Sequence, residues 1–265
     1  MKLYAILGDP VAHSISPIMH NHAFKKLGFD GCYTRYRLQE GSMLKERFKD
    51  LALKGANITV PHKEWAYKEA DEVLGIAQQI EAVNTWIEKD GKILGYNTDA
   101  PGFFESVKEF EFETLLILGA GGTAKAIALY LRAKGYDPLI LNRTKERLRF
   151  FQELGFKTYT WDDFEPRALD LIVNTTSAGL EDQSLPAPKE LLVPLFQKAK
   201  YAVDVIYNKI TPFLALARSM GLQTKDGTDM LLYQGVLAFE IFTDFHYDKK
   251  SIEEAMRKGL ELLDR

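Results

Sequence analysis

The chain has 265 residues and a net charge of −3, and its hydrophobic (46%) and charged (27%) fractions are ordinary for a globular protein. This charge argues against a nucleic-acid or anionic-membrane surface, and no apolar stretch approaches the roughly 18 residues of a membrane span. The N-terminal apolar run is too short for a signal peptide, and Cys32 is the single cysteine. We expect a cytoplasmic protein, long enough for two domains, with no nucleic-acid or membrane partner.

The first hundred residues alternate predicted strands and helices. Apolar or alternating runs predict strands at 3–7, 32–38 and 56–60. A helix is predicted with Ser16 as its N-cap and Pro17 as its first residue, and Pro61 is predicted to start another. The runs on either side of residues 89–91 predict a β-hairpin.

The second half of the chain repeats a strand-then-helix pattern. Strands are predicted at 114–119, 138–143, 169–176 and 201–207. An alanine-rich helix follows the first of them, and 144–155 is predicted as a helix. Such βα units predict an α/β fold with a parallel sheet and right-handed crossovers.

A glycine-rich segment joins the strand at 114–119 to the helix that follows it. Its sequence is Gly119-Ala120-Gly121-Gly122-Thr123-Ala124. This is the context of a dinucleotide-binding turn, in which exposed N–H groups at a helix N-terminus bind the pyrophosphate. Ala124 replaces the third glycine of the usual pattern and is small enough for close helix–strand packing. A glycine-rich turn without a ligand is the alternative.

The end of the next predicted strand indicates which dinucleotide binds. An NAD site places an acidic residue there for the ribose 2′-hydroxyl, whereas this strand ends in Asn142 and Arg143. Arg143 and Thr144 lie where the 2′-phosphate of NADP would bind, and Arg147 follows about one helical turn later. We therefore predict NADP rather than NAD. The alternative is a solvated helix start capped by Thr144.

Lys63 is the strongest candidate for proton transfer. It follows a strand at the start of a predicted helix, where the positive end of the helix dipole disfavours a cation. Such a placement suits a lysine that serves as a general acid and base. Asp99, at the end of the predicted hairpin, is its candidate partner, although residue types alone favour Asp99 as a cap of the helix that Pro101 helps begin.

Three further polar residues are candidates for substrate binding. Ser14 and Ser16 provide two hydroxyls near a helix N-terminus, which suits a carboxylate. Ser16 is also the predicted cap, so Ser14 is the better functional candidate. Asn84 lies within an apolar strand and needs hydrogen-bond partners from the protein or a ligand.

Taken in order, these motifs resemble those of shikimate dehydrogenases over nearly the whole chain. They are His13-x-Ser-x-Ser-Pro17, Asn57-x-Thr-x-Pro-x-Lys63, Ala82-Val-Asn-Thr85, Asn97-Thr-Asp99, Gly119-Ala-Gly-Gly122, Asn142-Arg-Thr-x-x-Arg147, and Asp226-Gly227 with Met230-Leu231 and Gln234. The resemblance implies reversible reduction of 3-dehydroshikimate to shikimate by NADPH, in aromatic amino-acid biosynthesis. It also implies an α/β substrate domain, residues 1–100 plus 237–265, and a Rossmann-like doubly wound NADP domain, residues 101–236.

The resemblance further implies roles for individual residues. Lys63, paired with Asp99, is expected to donate the proton. The expected substrate contacts are Ser14, Ser16, Asn57, Thr59, Lys63, Asn84, Asp99, Tyr207 and Gln234. The expected cofactor contacts are Gly119, Ala120, Gly121, Gly122, Thr123, Asn142, Arg143, Thr144, Arg147, Val205 and Gly227. No metal is expected, and the protein is expected to act on a small molecule as a monomer or homodimer.

One departure and three alternatives accompany this resemblance. His62 stands where the family often has phenylalanine, beside the candidate lysine. The alternatives are a quinate/shikimate dehydrogenase that uses NAD, a methylene-folate type of dehydrogenase, and a non-catalytic NADP-binding module. Arg143, Thr144 and Arg147 argue against the first alternative. The two serines and residues 97–99 argue against the second, and the presence of both Lys63 and Asp99 argues against the third.

Overall fold

The computed structural model describes residues 1–264 and divides the chain into two compact units. The terminal unit comprises Met1–Gly102 and the chain from Leu232 onward, and the central unit comprises Phe103–Leu231. Within the described residues, no helix combines the length and apolar character needed to cross a membrane.

The strands and helices follow one another through both units. The strands are β1 (Lys2–Gly8), β2 (Gly31–Arg37), β3 (Gly55–Ile58), β4 (Glu72–Val73), β5 (Thr85–Lys89), β6 (Lys92–Tyr96), β7 (Leu115–Leu118), β8 (Leu139–Leu141), β9 (Thr158–Tyr159), β10 (Leu171–Asn174), β11 (Tyr201–Asp204) and β12 (Gln223–Lys225). The helices are α1 (Ser16–Leu27), α2 (Leu44–Asp50), α3 (Lys63–Glu69), α4 (Ala77–Ile80), α5 (Asp99–Ser106), α6 (Gly122–Ala133), α7 (Arg149–Glu153), α8 (Lys189–Phe196), α9 (Pro212–Ser219), α10 (Thr228–Phe242) and α11 (Lys249–Leu260). The unit boundaries therefore fall inside α5 and α10.

The terminal unit is built on a mixed sheet in the order β2-β1-β3-β5-β6-β4. β1 pairs in parallel with β2 and β3, whereas β5 is antiparallel to β3 and β6. The predicted hairpin joins β5 to β6, and its turn has positive φ at Asp90 (52°) and Gly91 (77°), as a tight two-residue turn requires. Trp86 of β5 is fully buried and donates to the Ala66 carbonyl at 3.0 Å, which secures α3 against the sheet.

The central unit has a parallel sheet in the order β12-β11-β10-β7-β8-β9. This is the Rossmann order, with the first strand of the unit, β7, next to the point where the order reverses. The inner strands β7, β8 and β10 are short and entirely buried, because helices cover both faces of such a sheet. The predicted α/β fold class, with its Rossmann-like domain, is confirmed.

Two predicted helix starts in the terminal unit are wrong. Ser16 is the first residue of α1 rather than its N-cap, because Ile15 occupies the cap position and the Ser14 hydroxyl accepts from the Ser16 N–H at 3.3 Å. The helix predicted from Pro61 begins at Lys63, because a turn that closes with the His62 N–H on the Thr59 carbonyl (3.0 Å) precedes it.

Two predicted elements of the central unit are shorter than expected. The helix predicted over 144–155 is a 3₁₀ turn, Lys145–Leu148, followed by the short α7, and the Thr144 side chain forms no capping bond. The strand predicted over 201–207 ends at Asp204, because its carboxylate accepts the Ile206 N–H at 3.0 Å and turns the chain away from the sheet.

Candidate active site

The polar candidate residues of the terminal unit lie at one edge of its sheet. β1 and β3 end together there, with Leu7 opposite Ile58. β5 is antiparallel to β3 and therefore begins at that edge, with Thr85 opposite Asn57. Four segments that carry candidate residues begin or end at this edge. They are the loop that leads to α1, the turn into α3, and the segments around residues 84 and 97–99. The carboxyl ends of parallel strands are the usual ligand-binding edge of α/β sheets.

Lys63 and Asp99 meet at this edge. The Lys63 Nζ lies 2.6 Å from the Asp99 Oδ2, and the two side chains are 29% and 19% exposed. Asp99 is not needed as a helix cap, because the Asn97 Oδ1 accepts the N–H groups of Asp99 (3.1 Å) and Ala100 (3.4 Å). The carboxylate is therefore available to hold the lysine.

Asn84 fixes the other carboxylate oxygen. Its Nδ2 donates to the Asp99 Oδ1 and to the Thr98 Oγ1, each at 2.9 Å. Its Oδ1 accepts the Thr98 backbone N–H at 2.8 Å. Each oxygen of Asp99 thus has its own donor, so the carboxylate cannot rotate without losing a hydrogen bond.

Asn57 is buried behind this group. Its Oδ1 accepts from the Tyr33 hydroxyl at 2.6 Å, and its Nδ2 donates to the Thr85 Oγ1 at 3.0 Å. Only 5% of Asn57 is exposed. Both ends of its amide are used within the protein, so its contribution to a site is to support neighbouring residues.

Ser14 and Ser16 lie together at the N-terminus of α1. Their hydroxyl oxygens are 3.2 Å apart, and both residues are buried. The Arg35 Nε donates to the Ser14 carbonyl at 2.7 Å and holds the loop from the neighbouring strand β2. Hydroxyls at the start of a twelve-residue helix form a suitable place for a carboxylate.

Thr59 and Gln234 complete the terminal-unit candidates. Thr59 packs so closely on Gly8 that a Cβ at position 8 would overlap its Cγ2. Among residues 1–264, no hydrogen bond is formed by the Thr59 hydroxyl. Gln234 on α10 is almost buried, and a Cβ at Gly102 would lie 2.6 Å from its backbone nitrogen, so α5 and α10 approach closely here.

His62 has a structural contact that its sequence position did not reveal. It is 2% exposed, and its Nε2 lies 2.6 Å from the Leu38 carbonyl oxygen. Since a carbonyl can only accept, the proton resides on Nε2. The imidazole therefore ties the start of α3 to the end of β2.

The glycine-rich turn of the central unit leaves open space for a ligand. Gly119 has φ +110°, and a Cβ there would lie 2.7 Å from the Thr175 Oγ1, so glycine is required. Cβ atoms at Gly121 and Gly122 would meet no heavy atom of the described chain within 4 Å. The N-terminus of α6 is thus uncovered, with bare backbone next to it, as a pyrophosphate requires.

The arginines after β8 are exposed and carry no ion pair within the described chain. Arg143 and Arg147 face solvent, and the Arg143 guanidinium lies 5.9 Å from the centre of the Trp161 ring. The Asn142 Nδ2 donates to the Thr144 carbonyl at 2.8 Å, which shapes the turn that presents them. Two unpaired guanidinium groups fit an NADP 2′-phosphate.

Val205 and Gly227 are in contact in the central unit. A Cβ at Gly227 would overlap the Val205 carbonyl, and the Gly227 N–H donates to the Ile206 carbonyl at 2.9 Å. The nearby Tyr207 is half-buried, and this burial raises the pKa of its phenol. Tyr207 therefore keeps its proton at neutral pH and is available as a donor.

Sequence reasoning missed a buried polar cluster around Asp204, the residue before Val205. The Asp204 Oδ2 accepts from the Asn174 Nδ2 (2.9 Å) and the Thr211 hydroxyl (2.7 Å). Burial raises the pKa of Asp204 above its usual value, while these donors oppose the shift. The available signal was a polar residue at the end of each of two apolar strands, at 174 and 204.

No cluster of histidine, cysteine or acidic residues suited to a metal ion occurs in residues 1–264. What the site offers is an ammonium–carboxylate pair, hydroxyls and amides. Groups of these kinds can bind a polar substrate and move a proton. The glycine turn and the arginines provide for a phosphorylated dinucleotide.

Comparison with known proteins agrees with this description. Residues 6–86 match the shikimate dehydrogenase substrate binding domain, and residues 227–257 match the shikimate 5′-dehydrogenase C-terminal domain. The chain is 46% identical to the shikimate dehydrogenase (NADP(+)) of Helicobacter hepaticus, covering 96% of this chain and 95% of that one. It is 42% identical to a Helicobacter pylori protein of the same name, covering 97% and 98%. The crystal structure of the Thermus thermophilus shikimate 5-dehydrogenase in complex with NADP(H) and shikimate superposes with a TM-score of 0.87, at 38% identity over 98% of this chain and 100% of that chain.

Proposed function

The chain belongs to the NADP-dependent shikimate dehydrogenase family, and on that premise we propose that Lys63 and Asp99 carry the proton transfer of its reaction. The reaction is the reversible reduction of 3-dehydroshikimate to shikimate, a step of aromatic amino-acid biosynthesis. The predicted family, reaction and use of NADP are confirmed. The roles given to individual residues below are proposals.

The observation that carries the proposal is the 2.6 Å contact between the Lys63 Nζ and the Asp99 Oδ2 at the ligand-binding edge of the sheet. Both groups remain partly exposed, whereas the residues that hold them are buried. A proton donor must reach its substrate, and its support must not move.

Lys63 and Asp99 divide the proton chemistry between them. NADPH, when bound, supplies the hydride in the reducing direction. As the carbonyl oxygen of 3-dehydroshikimate gains negative charge, the Lys63 ammonium gives it a proton, and the resulting amine stays hydrogen-bonded to Asp99. In the oxidising direction the Lys63 amine accepts the hydroxyl proton of shikimate. Asp99 holds the lysine in one position, which keeps the donor atom within reach.

The remaining terminal-unit residues bind and orient the substrate. Ser14 and Ser16 bind its carboxylate with two hydroxyls, assisted by the N-terminus of α1. Thr59, whose hydroxyl has no partner among residues 1–264, binds a ring hydroxyl. Other ring oxygens are bound by Asp99 and Gln234, and Asn84 contributes by holding Asp99. Asn57 contributes by holding Asn84 and Thr85 in place.

The central unit binds NADP through backbone and guanidinium groups. The turn from Gly119 to Thr123 receives the pyrophosphate. Arg143 and Arg147, with Asn142 and Thr144, receive the 2′-phosphate. The segment of Val205 against Gly227 lies beside the nicotinamide, and only glycine at 227 permits that close approach.

The proposed function is tested by assaying the purified chain with shikimate and quinate, each with NADP⁺ and NAD⁺. We expect the largest kcat/KM for shikimate with NADP⁺. A preference for NAD⁺ would contradict the role of the arginines, and a preference for quinate would contradict the substrate. Binding of NADP⁺ without turnover of either acid would support a non-catalytic module instead.

A further inference from the structure

We propose that Tyr33 is a positioning residue for the reaction, because its hydroxyl closes a buried hydrogen-bond chain that ends on the Asp99 carboxylate. No motif of the sequence singles out Tyr33, and it lies on β2, two strands away from β3 in the sheet order. The inference rests on the proposed role of Lys63 and Asp99.

The chain of hydrogen bonds is continuous. Its links are Tyr33 Oη to Asn57 Oδ1 (2.6 Å), Asn57 Nδ2 to Thr85 Oγ1 (3.0 Å), Thr85 Oγ1 to Asn84 Oδ1 (3.0 Å), Asn84 Nδ2 to Asp99 Oδ1 (2.9 Å) and Asp99 Oδ2 to Lys63 Nζ (2.6 Å). The four residues behind Asp99 are between 0% and 5% exposed. Water therefore cannot easily replace a lost link.

The direction of each hydrogen bond follows from a fixed donor. The Thr98 backbone N–H donates to the Asn84 Oδ1 at 2.8 Å, which turns the Asn84 NH₂ group towards Asp99. The Thr85 hydroxyl has one proton and gives it to the same Oδ1, so it must accept from the Asn57 NH₂ group. The Asn57 oxygen then faces Tyr33, which must be a donor.

Tyr33 is well suited to be that donor. Its burial raises the pKa of the phenol well above the ordinary value, so the proton is always present. Its ring stacks on His20, with centroids 4.3 Å apart and planes inclined by 2°. The Asn21 side chain brackets its backbone, accepting from the Tyr33 N–H and donating to the Tyr33 carbonyl, each at 2.8 Å. Helix α1 thus holds both the ring and the backbone of Tyr33.

The Tyr33 hydroxyl affects the reaction through the orientation of the Asp99 carboxylate. Without the phenol, the Asn57 oxygen has no donor in a dry interior, and the Asn57 amide is held only through its Nδ2. The Thr85 hydroxyl then has a less firmly placed partner, and the Asn84 amide is held less tightly against Asp99. A small displacement of a proton donor is enough to lower the rate substantially.

The test uses Tyr33→Phe, Thr85→Val and Thr85→Ser, with Tyr4→Phe as the matched control. Tyr4 is another buried tyrosine of the same unit, and its hydroxyl donates to the Phe242 carbonyl at 3.2 Å, outside the chain. We expect kcat for shikimate to fall about tenfold in Tyr33→Phe and in Thr85→Val, with the KM for NADP⁺ unchanged. Thr85→Ser, which keeps the hydroxyl, and Tyr4→Phe should remain within about twofold of the unaltered enzyme.

The double variant Tyr33→Phe/Thr85→Val distinguishes a shared chain from two separate effects. If both residues act through the same hydrogen-bond chain, the double variant should lose little more kcat than the more damaging single variant. Multiplied losses in kcat would overturn the proposal, and so would a Tyr33→Phe variant that unfolds more easily in urea but keeps its kcat. If Tyr33→Phe does not fold, equal kcat in Thr85→Val and Thr85→Ser would overturn it. Absence of turnover in the unaltered enzyme would instead refute the proposed function.

Discussion

The two candidate sites of this chain present their polar groups in opposite ways. In the terminal unit, Lys63, Asp99 and Asn84 are already joined to one another, and buried side chains hold them. In the central unit, the backbone at Gly121 and Gly122 is uncovered, and the nearby arginines are exposed. A small substrate with several hydroxyls requires fixed partners, whereas a long anionic cofactor requires charge and access to the backbone.

The two sites also differ in what holds their polar groups in place. The terminal-unit network is satisfied internally, and such networks are rigid when complete and costly when one member is lost. The arginines of the central unit have solvent as their alternative partner, so removing one leaves nothing buried and unpaired. We therefore expect substitutions in the terminal unit to affect kcat, and those at the arginines to affect cofactor choice.

The largest effect is expected for Lys63→Ala. Loss of the proton donor should lower kcat by about 10³-fold, within the range for removal of a general acid, with the KM for NADP⁺ nearly unchanged. The matched control is Lys68→Ala, an exposed lysine of the same helix α3. Steady-state rates with shikimate measure both, and an unchanged kcat in Lys63→Ala would refute the mechanism.

A smaller and more selective effect is expected at the arginines. Arg143→Ala and Arg147→Ala should each lower kcat/KM for NADP⁺ by about 10- to 100-fold, the loss of one charged phosphate contact, and leave kcat/KM for NAD⁺ nearly unchanged. Arg149→Ala is the control, since that exposed side chain pairs with Glu153 at 2.7 Å instead. Equal losses for both cofactors would contradict the assignment of the 2′-phosphate site.

The smallest effect is expected from His20, the exception to the satisfied interior of the terminal unit. Within residues 1–264, both of its ring nitrogens are buried without a hydrogen-bond partner, and burial lowers its pKa to about 3. The unfolded histidine takes up a proton near pH 6.5, whereas the folded one does not until about pH 3. The free energy of unfolding should therefore fall as the pH drops below 6.5, by about 2 kcal/mol at pH 5.

Urea unfolding at pH 7 and pH 5 measures this contribution. His20→Phe should lose about 2 kcal/mol less than the unaltered protein between the two pH values. His246→Gln, a change at an exposed histidine, should lose as much as the unaltered protein. Identical losses in the unaltered protein and His20→Phe would show that His20 is protonated while folded.

Local sequence patterns were sufficient to predict part of the two candidate sites. The glycine turn and Lys63 both lie where a strand passes into a helix, and this transition is visible in the order of apolar and polar residues. The prediction of Ser16 as the N-cap was wrong, because which residue occupies the cap position depends on the backbone angles at Ile15. Sequence patterns do not fix such angles.

Other features depend on sheet register and were not predictable from local sequence. Whether Asp99 caps a helix or holds Lys63 depends on Asn97, which takes both N–H groups. Tyr33 looks like any inward-facing strand residue, because its partner Asn57 lies on a different strand. The buried Asp204 likewise finds its donors 30 residues earlier and 7 residues later in the chain.

The central claim is that Lys63 and Asp99 act as one unit, and a double-mutant cycle in kcat tests it most directly. Lys63→Ala should lower kcat about 10³-fold and Asp99→Asn about 10²-fold, while the double variant should be no slower than Lys63→Ala alone. This result is expected because Asp99 contributes through the lysine that it holds. Losses that multiply to about 10⁵-fold would show that the two side chains act independently and would contradict the account.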